Sequence, residues 1–221
     1  MPYALKLRVM KSLINIFLLS VSLFAQYPAD SLFKDSNNNV MQKMFLYPIT
    51  KWQRLSYNSD IIGCQYYPSC SHYGAKAIHS KGAILGSIVT YDRIIRCNEA
   101  AKFNHDNMGG FYYSDGRLVD PVDYYPTKSN KKSPMLAASL SALVPGSGRM
   151  YGGRLIMDGI YGLLVSSLTI QMAQKSIKKE SAISPLFIGV ALTTYFGEIY
   201  GAYRTAKYYQ SHPKSDKKEI N

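Results

Sequence analysis

Three cysteines are the side chains of this sequence with the most distinctive chemistry. Cys64 and Cys70 lie in residues 63–73, which read Gly-Cys-Gln-Tyr-Tyr-Pro-Ser-Cys-Ser-His-Tyr, and Cys97 lies further along the chain. Such thiols can be buried as small apolar groups, form a disulfide in an exported protein, or bind zinc together with a histidine. The histidines available as a fourth zinc ligand are His72, His79 and His105.

The number and spacing of the cysteines leave these three interpretations open. An odd count gives no disulfide framework, and the sequence lacks the Cys-x-x-Cys pair that is typical of structural zinc sites. No neighbouring pattern marks a general base, an acid that orients it, or an oxyanion hole for a Cys–His nucleophile. We therefore predict a structural cluster, no enzyme activity, no cofactor and no assigned metal.

Two short helices are predicted between the second and the third cysteine. A proline turn is followed by Ser69 and Ser71, either of which can cap a helix over residues 71–81. Gly82 ends that helix, and apolar residues at helical spacing predict a second helix over residues 83–96. Two helices joined at one glycine should fold back as a hairpin, which would return the third cysteine to the first two.

An amphipathic helix is predicted ahead of the cysteines, over residues 41–57. Its apolar side chains share one face, and Trp52 would lie at head-group depth if that face rested on a bilayer. The alternative is that the helix packs on the core of its own domain. The apolar residues are Met41, Met44, Phe45, Pro48, Ile49, Trp52 and Leu55. The basic residues expected to contact lipid alongside Trp52 are Lys43, Lys51 and Arg54.

The net charge of +12 is concentrated beside apolar segments rather than in the cysteine-containing part. This distribution suits anionic lipid head groups better than nucleic acid, so nucleic acid is not expected as a partner. At the N-terminus, basic residues precede an apolar run over residues 12–24, which predicts a signal peptide or an uncleaved anchor in residues 1–25. Residues 26–40, which include three consecutive asparagines, are predicted to form a polar linker.

The C-terminal part is predicted to contact the membrane. Residues 128–154 are typical of a basic linker that contains a re-entrant or interfacial segment. Residues 155–203 contain two apolar runs joined by a short loop, which predicts a transmembrane helical hairpin, and residues 204–221 are predicted to form a basic tail. Asp158 and Glu198 would then lie near one membrane interface as snorkelling carboxylates.

Residues 42–123 resemble the YidD family, the membrane protein insertion efficiency factors. The resemblance rests on a Cys-x5-Cys-Ser-x-Tyr core, a later Arg-Cys pair, a Gly-Gly pair and an Asp-Pro-Val segment. The matching positions are Cys64, Pro68, Ser69, Cys70, Ser71, Tyr73, Arg96, Cys97, Gly109, Gly110, Asp120 and Pro121. The chain departs from the family pattern at Gln65, where the family has arginine, and at Asn98-Glu99, where it has His-Pro. The C-terminal hairpin resembles small bacterial hairpin domains of the TM2 type.

The YidD resemblance implies a small protein that lies on the membrane through its first helix. It implies a role in the YidC/Sec route, by which proteins are inserted into the inner membrane, and no catalytic residues are assigned to the family. Family members usually act on the cytoplasmic side, whereas the signal-like N-terminus of this chain favours export. The side of the membrane on which the cysteines lie is therefore open.

These observations predict an all-α protein, with a small cysteine-containing helical module over residues 41–127 and a transmembrane helical hairpin. The predicted function is that of a non-catalytic accessory factor for insertion at the bacterial inner membrane. Its expected partners are membrane lipid, the YidC/Sec insertion machinery and nascent membrane proteins. The alternative is an exported, membrane-anchored envelope module that is stabilised by a disulfide and has no role in insertion.

Overall fold

The computed structural model describes residues 27–59, 63–123, 132–154 and 156–208. Most of these residues are helical, which confirms the predicted all-α class. The predicted signal peptide or anchor lies outside the described residues, and so does the predicted basic tail beyond its first few residues.

A helix, α1 (Pro28–Lys34), occupies part of the segment that the sequence predicts to be a polar linker. Pro28 is the first helical residue, a position that suits proline because an N–H there would have no partner within the helix. Ala29 is fully buried, and its N–H donates to Gln53 Oε1 at 2.8 Å. The linker prediction is wrong here, because long-range packing fixes a helix that the local sequence does not mark.

Three helices form the core of the module, and their bounds agree with the prediction to within one residue. They are α2 (Val40–Ser56), α3 (Cys70–Lys81) and α4 (Ala83–Ile95). Asn39 and Gln42 cap the start of α2 reciprocally, and Ser69 caps α3. Gly82, with a φ of 83°, separates α3 from α4. Because glycine adopts a positive φ readily, the two helices can fold back on each other at this residue.

The module also contains a short helix after α4 and a small sheet, whose first strand precedes α3 and whose other two strands follow the short helix. The sequence pattern predicts neither the helix nor the sheet. The elements are β1 (Tyr66–Tyr67), α5 (Ala101–Asn107), β2 (Phe111–Tyr112) and β3 (Leu118–Val119). β3 pairs parallel to β1 and antiparallel to β2. Tyr66 and Leu118 are buried with Ala101, so the sheet packs on α5 beside the cysteines. Strands of two residues are too short to show the alternation on which strand prediction depends.

The C-terminal part forms a further group of helices. They are α6 (Pro134–Leu143), α7 (Ser147–Gly152), α8 (Ile156–Lys178) and α9 (Ser184–Tyr208). α9 packs against α6, α7 and α8, and also along α4 of the module. Ala137, Ala202 and Ala206 are buried where α6 meets α9. The segment predicted to be re-entrant or interfacial thus contains α6 and α7, and its placement at a membrane stays a prediction.

The transmembrane part of the predicted hairpin is not supported. The two expected helices are present as α8 and α9, but in the described part of the chain no helix is both long and apolar enough to cross a bilayer. Polar side chains explain the difference, because Asp158, Glu198 and Arg204 lie within these helices and are buried. Asp158 and Glu198 are therefore not snorkelling carboxylates, and Arg204 belongs to α9 rather than to a tail.

Candidate functional site

The three cysteine side chains meet at one place in the fold. Cys64 lies just before β1, Cys70 is the first residue of α3, and Cys97 follows α4. All three Sγ atoms lie within 4.8 Å of one another, and Cys64 Sγ is 3.8 Å from Cys70 Sγ. The predicted return of Cys97 to the other two cysteines is confirmed. All three residues are free thiols and half-buried, so solvent reaches the cluster.

The histidines considered as a fourth ligand lie outside this group of sulfur atoms. His79 Nε2 is 2.8 Å from Asp35 Oδ2, and His105 Nε2 is 2.7 Å from the carbonyl oxygen of Phe111. His72 is half-buried and lines a surface groove that also reaches the first cysteine. Over the ranges that the structure covers, the side chains close enough together to hold a metal ion are the three thiols alone.

Polar groups around the thiols favour negative charge in the cluster. Arg93 Nη1 is 3.8 Å from Cys70 Sγ, and Gln65 Nε2 donates to Cys97 Sγ at 3.6 Å. Cys70 also lies in the first turn of α3, where the helix dipole favours an anion. Hydrogen bonds from the Cys70 and Cys97 thiols lower the pKa of Cys64, whereas the bond to Cys64 raises the pKa of Cys70. The hydrogen bonds among the three sulfurs therefore favour ionisation of one thiol of the cluster.

Pro68 and Ser69, two positions that match the family pattern, shape the turn before Cys70. The peptide bond that precedes Pro68 is cis, and the carbonyl oxygen of Pro68 accepts a hydrogen bond from Arg93 at 3.3 Å. The Ser69 side chain accepts a hydrogen bond from the backbone N–H of His72, which caps α3. Together these two hydrogen bonds fix the start of α3 and hence the position of the Cys70 thiol.

Ser71 and Tyr73 attach the beginning of α3 to its neighbours. Ser71 Oγ accepts a hydrogen bond from Gln53 Nε2 of α2 at 3.2 Å. Tyr73 is buried and packs with Val89 of α4 and with Val122, which follows β3. Burial raises the pKa of Tyr73 well above its ordinary value, so its hydroxyl stays neutral. Both residues have a structural role in holding the cysteine hairpin together.

The Gly109-Gly110 pair lets the loop after α5 close over His105. Gly109 has a φ of 65°, which a residue with a side chain rarely adopts. A Cβ at Gly110 would lie 2.3 Å from the His105 ring, so a side chain there would displace the ring. That ring packs edge-on against Tyr66 and Tyr112 and so connects the loop to the sheet.

Arg96 is buried between two carboxylates. Its guanidinium is 2.9 Å from Asp92 Oδ2 and 2.5 Å from Asp120 Oδ2, and Arg93 Nε lies 3.1 Å from the same Asp120 oxygen. Burial alone would raise the pKa of Asp92 and of Asp120, but the neighbouring arginines outweigh it and hold both pKa values well below the ordinary range. Pro121, which follows Asp120 in the family motif, is exposed.

Side chains from the C-terminal helices complete this ion network. Arg149 of α7 lies 2.9 Å from Asp92 and 2.9 Å from Glu198 of α9. Arg204 Nη2 is 3.4 Å from Asp120 Oδ1. Buried pairs of opposite charge thus join the module to the C-terminal part. The sequence prediction missed this network, although a charged residue within an otherwise apolar helix, such as Asp92 or Glu198, was a signal that could have indicated it.

A second buried carboxylate, that of Asp158, joins α8 to the loop after α4. Asp158 Oδ2 is 2.7 Å from Arg154 Nη1, while Asp158 Oδ1 accepts hydrogen bonds from Asn98 Nδ2 at 2.5 Å and from Asn104 Nδ2 at 3.4 Å. Asn98 stands where the family pattern has histidine. In this chain Asn98 instead donates a hydrogen bond to Asp158, a carboxylate of the C-terminal part.

The apolar stripe of α2 points largely outward, while much of the inner face is polar. Gln42 donates to two carbonyl oxygens of α3 at 3.0 Å, and Gln53 is fully buried and bonds to α1 and α3. Phe45 and Ile49 pack partly against the core. The exposed residues of the stripe are Met41, Met44, Pro48, Trp52 and Leu55. Of the flanking basic residues, Lys51 and Arg54 are exposed and Lys43 is half-buried.

An apolar groove of about 710 Å³ adjoins this stripe, between α2, α4 and α9. Met44 belongs to both, so the stripe and the groove form one continuous surface, called the apolar surface below. Residues from each of the three helices line the groove, among them Met44, Ile49, Ile88, Ile94, Leu186 and Phe196. The sequence prediction identified the α2 stripe but gave no indication of its continuation onto α9.

The sequence of the module is similar to that of a known protein family. The family model of YidD, described as "Putative membrane protein insertion efficiency factor", matches residues 41–109. No solved structure matches the chain.

Three relatives bear the same description. The relative from Streptomyces avermitilis is 63% identical over 42 residues, which cover 18% of this chain and 36% of the relative. The relative from Exiguobacterium sp. is 42% identical over 57 residues, or 26% of this chain and 64% of the relative. The chain thus spans less than two thirds of either protein. The relative from Clostridium perfringens (strain SM101 / Type A) is 33% identical over 66 residues, or 30% of this chain and 96% of the relative. Because nearly all of this last protein is aligned, the chain belongs to the YidD family.

Proposed function

We propose that this protein is a non-catalytic accessory factor for the insertion of proteins into the bacterial inner membrane, and that it acts while lying on the membrane surface. Membership of the YidD family supports the insertion role. The observation that carries the surface location is the orientation of α2, whose apolar stripe is exposed while its glutamines are buried.

The environment of α2 is that of an interfacial helix. Its inner polar groups are satisfied by hydrogen bonds, so rotating the helix to bury the stripe would break them. The exposed apolar area would gain free energy on leaving water, at about 25 cal/mol per Å². Trp52, half exposed, would lie at head-group depth, and Lys51 and Arg54 would reach lipid phosphates from the helix flanks.

Lipid is also the occupant that we propose for the groove. Met44 connects the groove to the α2 stripe, and exposed apolar side chains continue beyond it along the C-terminal helices. These further residues include Leu164, Leu168, Met172, Leu186, Val190 and Phe196. Apolar patches of such extent on soluble proteins mark membrane or partner contacts. The net charge of +12 is complementary to anionic lipid head groups, which favours a bilayer over a neutral partner.

From this position the protein would meet nascent membrane proteins where the YidC/Sec machinery releases them into the bilayer. Its contribution would be a rigid docking platform, because the ion network fixes α9 against the cysteine module. No step of this function needs a reacting side chain.

The test is the rate at which a YidC-dependent membrane protein is inserted in cells that lack this protein. We expect slower insertion, with restoration by the wild-type gene but not by the double variant Met44→Asp/Leu55→Asp. Phe103→Asp is the matched control, since Phe103 is 52% exposed on α5, outside the apolar surface. Unchanged insertion on loss of the protein would reject the insertion role. Full restoration by the double variant would reject the surface role.

A further inference from the structure

We infer that Cys64, Cys70 and Cys97 form a metal site for a thiophilic d10 cation, with Zn²⁺ as the proposed ion. Three thiolate sulfurs would bind it, and a fourth position would be left to water or a further ligand. A soft metal ion of this kind matches the ligands, because thiolates select Zn²⁺ and Cu⁺ over Mg²⁺ or Ca²⁺. This inference goes beyond the proposed insertion function and does not depend on it.

The spacing of the sulfur atoms is the first observation. Around a tetrahedral zinc ion with bonds of about 2.3 Å, neighbouring sulfurs are separated by about 3.8 Å. Cys64 Sγ and Cys70 Sγ are 3.8 Å apart, and Cys97 Sγ lies within 4.8 Å of both. A disulfide would require about 2.05 Å. In this structure the thiols are therefore unbonded and at the separation that a shared ion requires.

The fold holds the three thiols at rigid and separate points, which is the second observation. The parallel pairing of Tyr66 with Leu118 fixes the strand after Cys64. Cys70 begins a capped helix, and Cys97 lies at the end of the hairpin partner of that helix. An ion bound here would link β1, α3 and the end of α4, so its binding should stabilise the folded module.

Charged and polar partners around the sulfurs are the third observation. Three thiolates and Zn²⁺ carry one net negative charge, and the Arg93 guanidinium lies 3.8 Å from Cys70 Sγ, where it offsets that charge. Arg93 is itself held by Asp120 at 3.1 Å and lies 3.4 Å from the centre of the Tyr66 ring. Gln65 donates to Cys97 Sγ at 3.6 Å. Such outer partners orient and tune metal ligands in proteins.

An ion can reach the cluster from solvent. The cysteines are half-buried, and two surface grooves meet them. One groove is lined by Cys64 and His72, and the other by Gln65 and Cys97.

The test measures zinc on the purified, fully reduced full-length protein. After incubation with Zn²⁺ and desalting, we expect about one zinc per chain in the wild type. We expect the zinc content to fall at least tenfold in Cys64→Ser, Cys70→Ser and Cys97→Ser. His79→Ala is the matched control and should keep its zinc, because the His79 ring is bonded to Asp35. With Co²⁺ in place of Zn²⁺, thiolate charge-transfer absorption should appear in the wild type and be absent from the three cysteine variants.

A second measurement keeps the inference falsifiable if a serine variant does not fold. Alkylation of the wild-type thiols is followed by mass spectrometry with and without Zn²⁺, and all three cysteines should be protected at least tenfold by the metal. Equal alkylation rates with and without Zn²⁺, or less than about a tenth of a zinc per wild-type chain, would overturn the proposal. Retention of zinc by all three serine variants would do the same, since it would place the ion elsewhere.

Discussion

Arg149 Nη1 donates to Asp92 Oδ1 at 2.9 Å, across 57 positions of the sequence. Both side chains are almost completely buried, and Arg149 also donates from Nε to Glu198. Space for the guanidinium exists because position 201 is glycine, where a Cβ would lie 1.9 Å from Arg149 Nη2. The C-terminal helices are thus attached to the YidD module through a buried charged contact that leaves no room for a side chain at position 201.

Replacing Arg149 by methionine should destabilise the protein by about 3–5 kcal/mol. The substitution keeps much of the side-chain volume but leaves the carboxylates of Asp92 and Glu198 buried without this partner. The free energy of unfolding, measured by urea denaturation and followed by circular dichroism, checks this expectation.

The control for that variant is Arg117→Met. Arg117 forms an ion pair with Asp115 at 2.7 Å, but both side chains are well exposed to solvent. Water screens such pairs, so the expected loss is no more than about 1 kcal/mol. Similar losses in the two variants would show that burial of the Arg149 network contributes little to stability.

Acid should destabilise the protein through Asp92 and Asp120. The arginines around them hold both pKa values below the ordinary 3.8, so the stabilisation is fully present above that value and is lost as pH falls towards the folded pKa. Glu198 acts in the opposite sense, since burial raises its pKa and the stability linked to its protonated form is lost as pH rises. The two aspartates outnumber it, so we expect the free energy of unfolding to decrease from about pH 5 to about pH 2.

Urea unfolding at a series of pH values tests this dependence. In Asp92→Asn the decrease should be shallower, because one of the two groups with a lowered pKa no longer titrates. A wild-type stability that stays constant or increases over the acidic range would contradict the assignment of the two aspartates as ionised in the fold.

Much of the module could be predicted from the sequence, because its signals are local. The periodic apolar residues of α2 and α4, the cap at Ser69 and the stop at Gly82 gave helix bounds correct to within one residue. The return of Cys97 to the other cysteines followed from those bounds alone. What could not be predicted was how the elements pair over long distances.

The incorrect predictions share this cause. α8 and α9 contain the apolar runs from which a transmembrane hairpin was predicted, and the sequence alone does not show that Glu198 has Arg149 as a partner. A carboxylate without a known partner was therefore placed at a membrane interface. The polar segment before α2 was similarly taken as a linker. The packing of its helix α1 depends on a hydrogen bond from Ala29 to Gln53 of α2, which the local sequence does not show.

Gly110→Ala should destabilise the loop over His105. The added Cβ would lie 2.3 Å from the His105 ring, which would be pushed away from its contacts with the sheet. Overpacking of this kind typically costs about 1–3 kcal/mol. Gly189→Ala is the matched control, because nothing lies within 4 Å of its Cβ position and alanine is favoured over glycine inside a helix by about 1 kcal/mol. Thermal unfolding should separate the two variants, and a Gly110→Ala protein as stable as the Gly189→Ala protein would contradict the packing role.

Trp52 is the one tryptophan of the sequence, so its fluorescence reports directly on the outer face of α2. The side chain is 50% exposed, and its emission should shift to shorter wavelength when vesicles containing anionic lipid remove it from water. The shift should be smaller with vesicles of neutral lipid, and it should weaken at high salt, because Lys51 and Arg54 contribute attraction to the charged surface. Protein that binds anionic vesicles in a flotation assay without any shift in Trp52 emission would place the membrane contact elsewhere and exclude α2 as the docking helix.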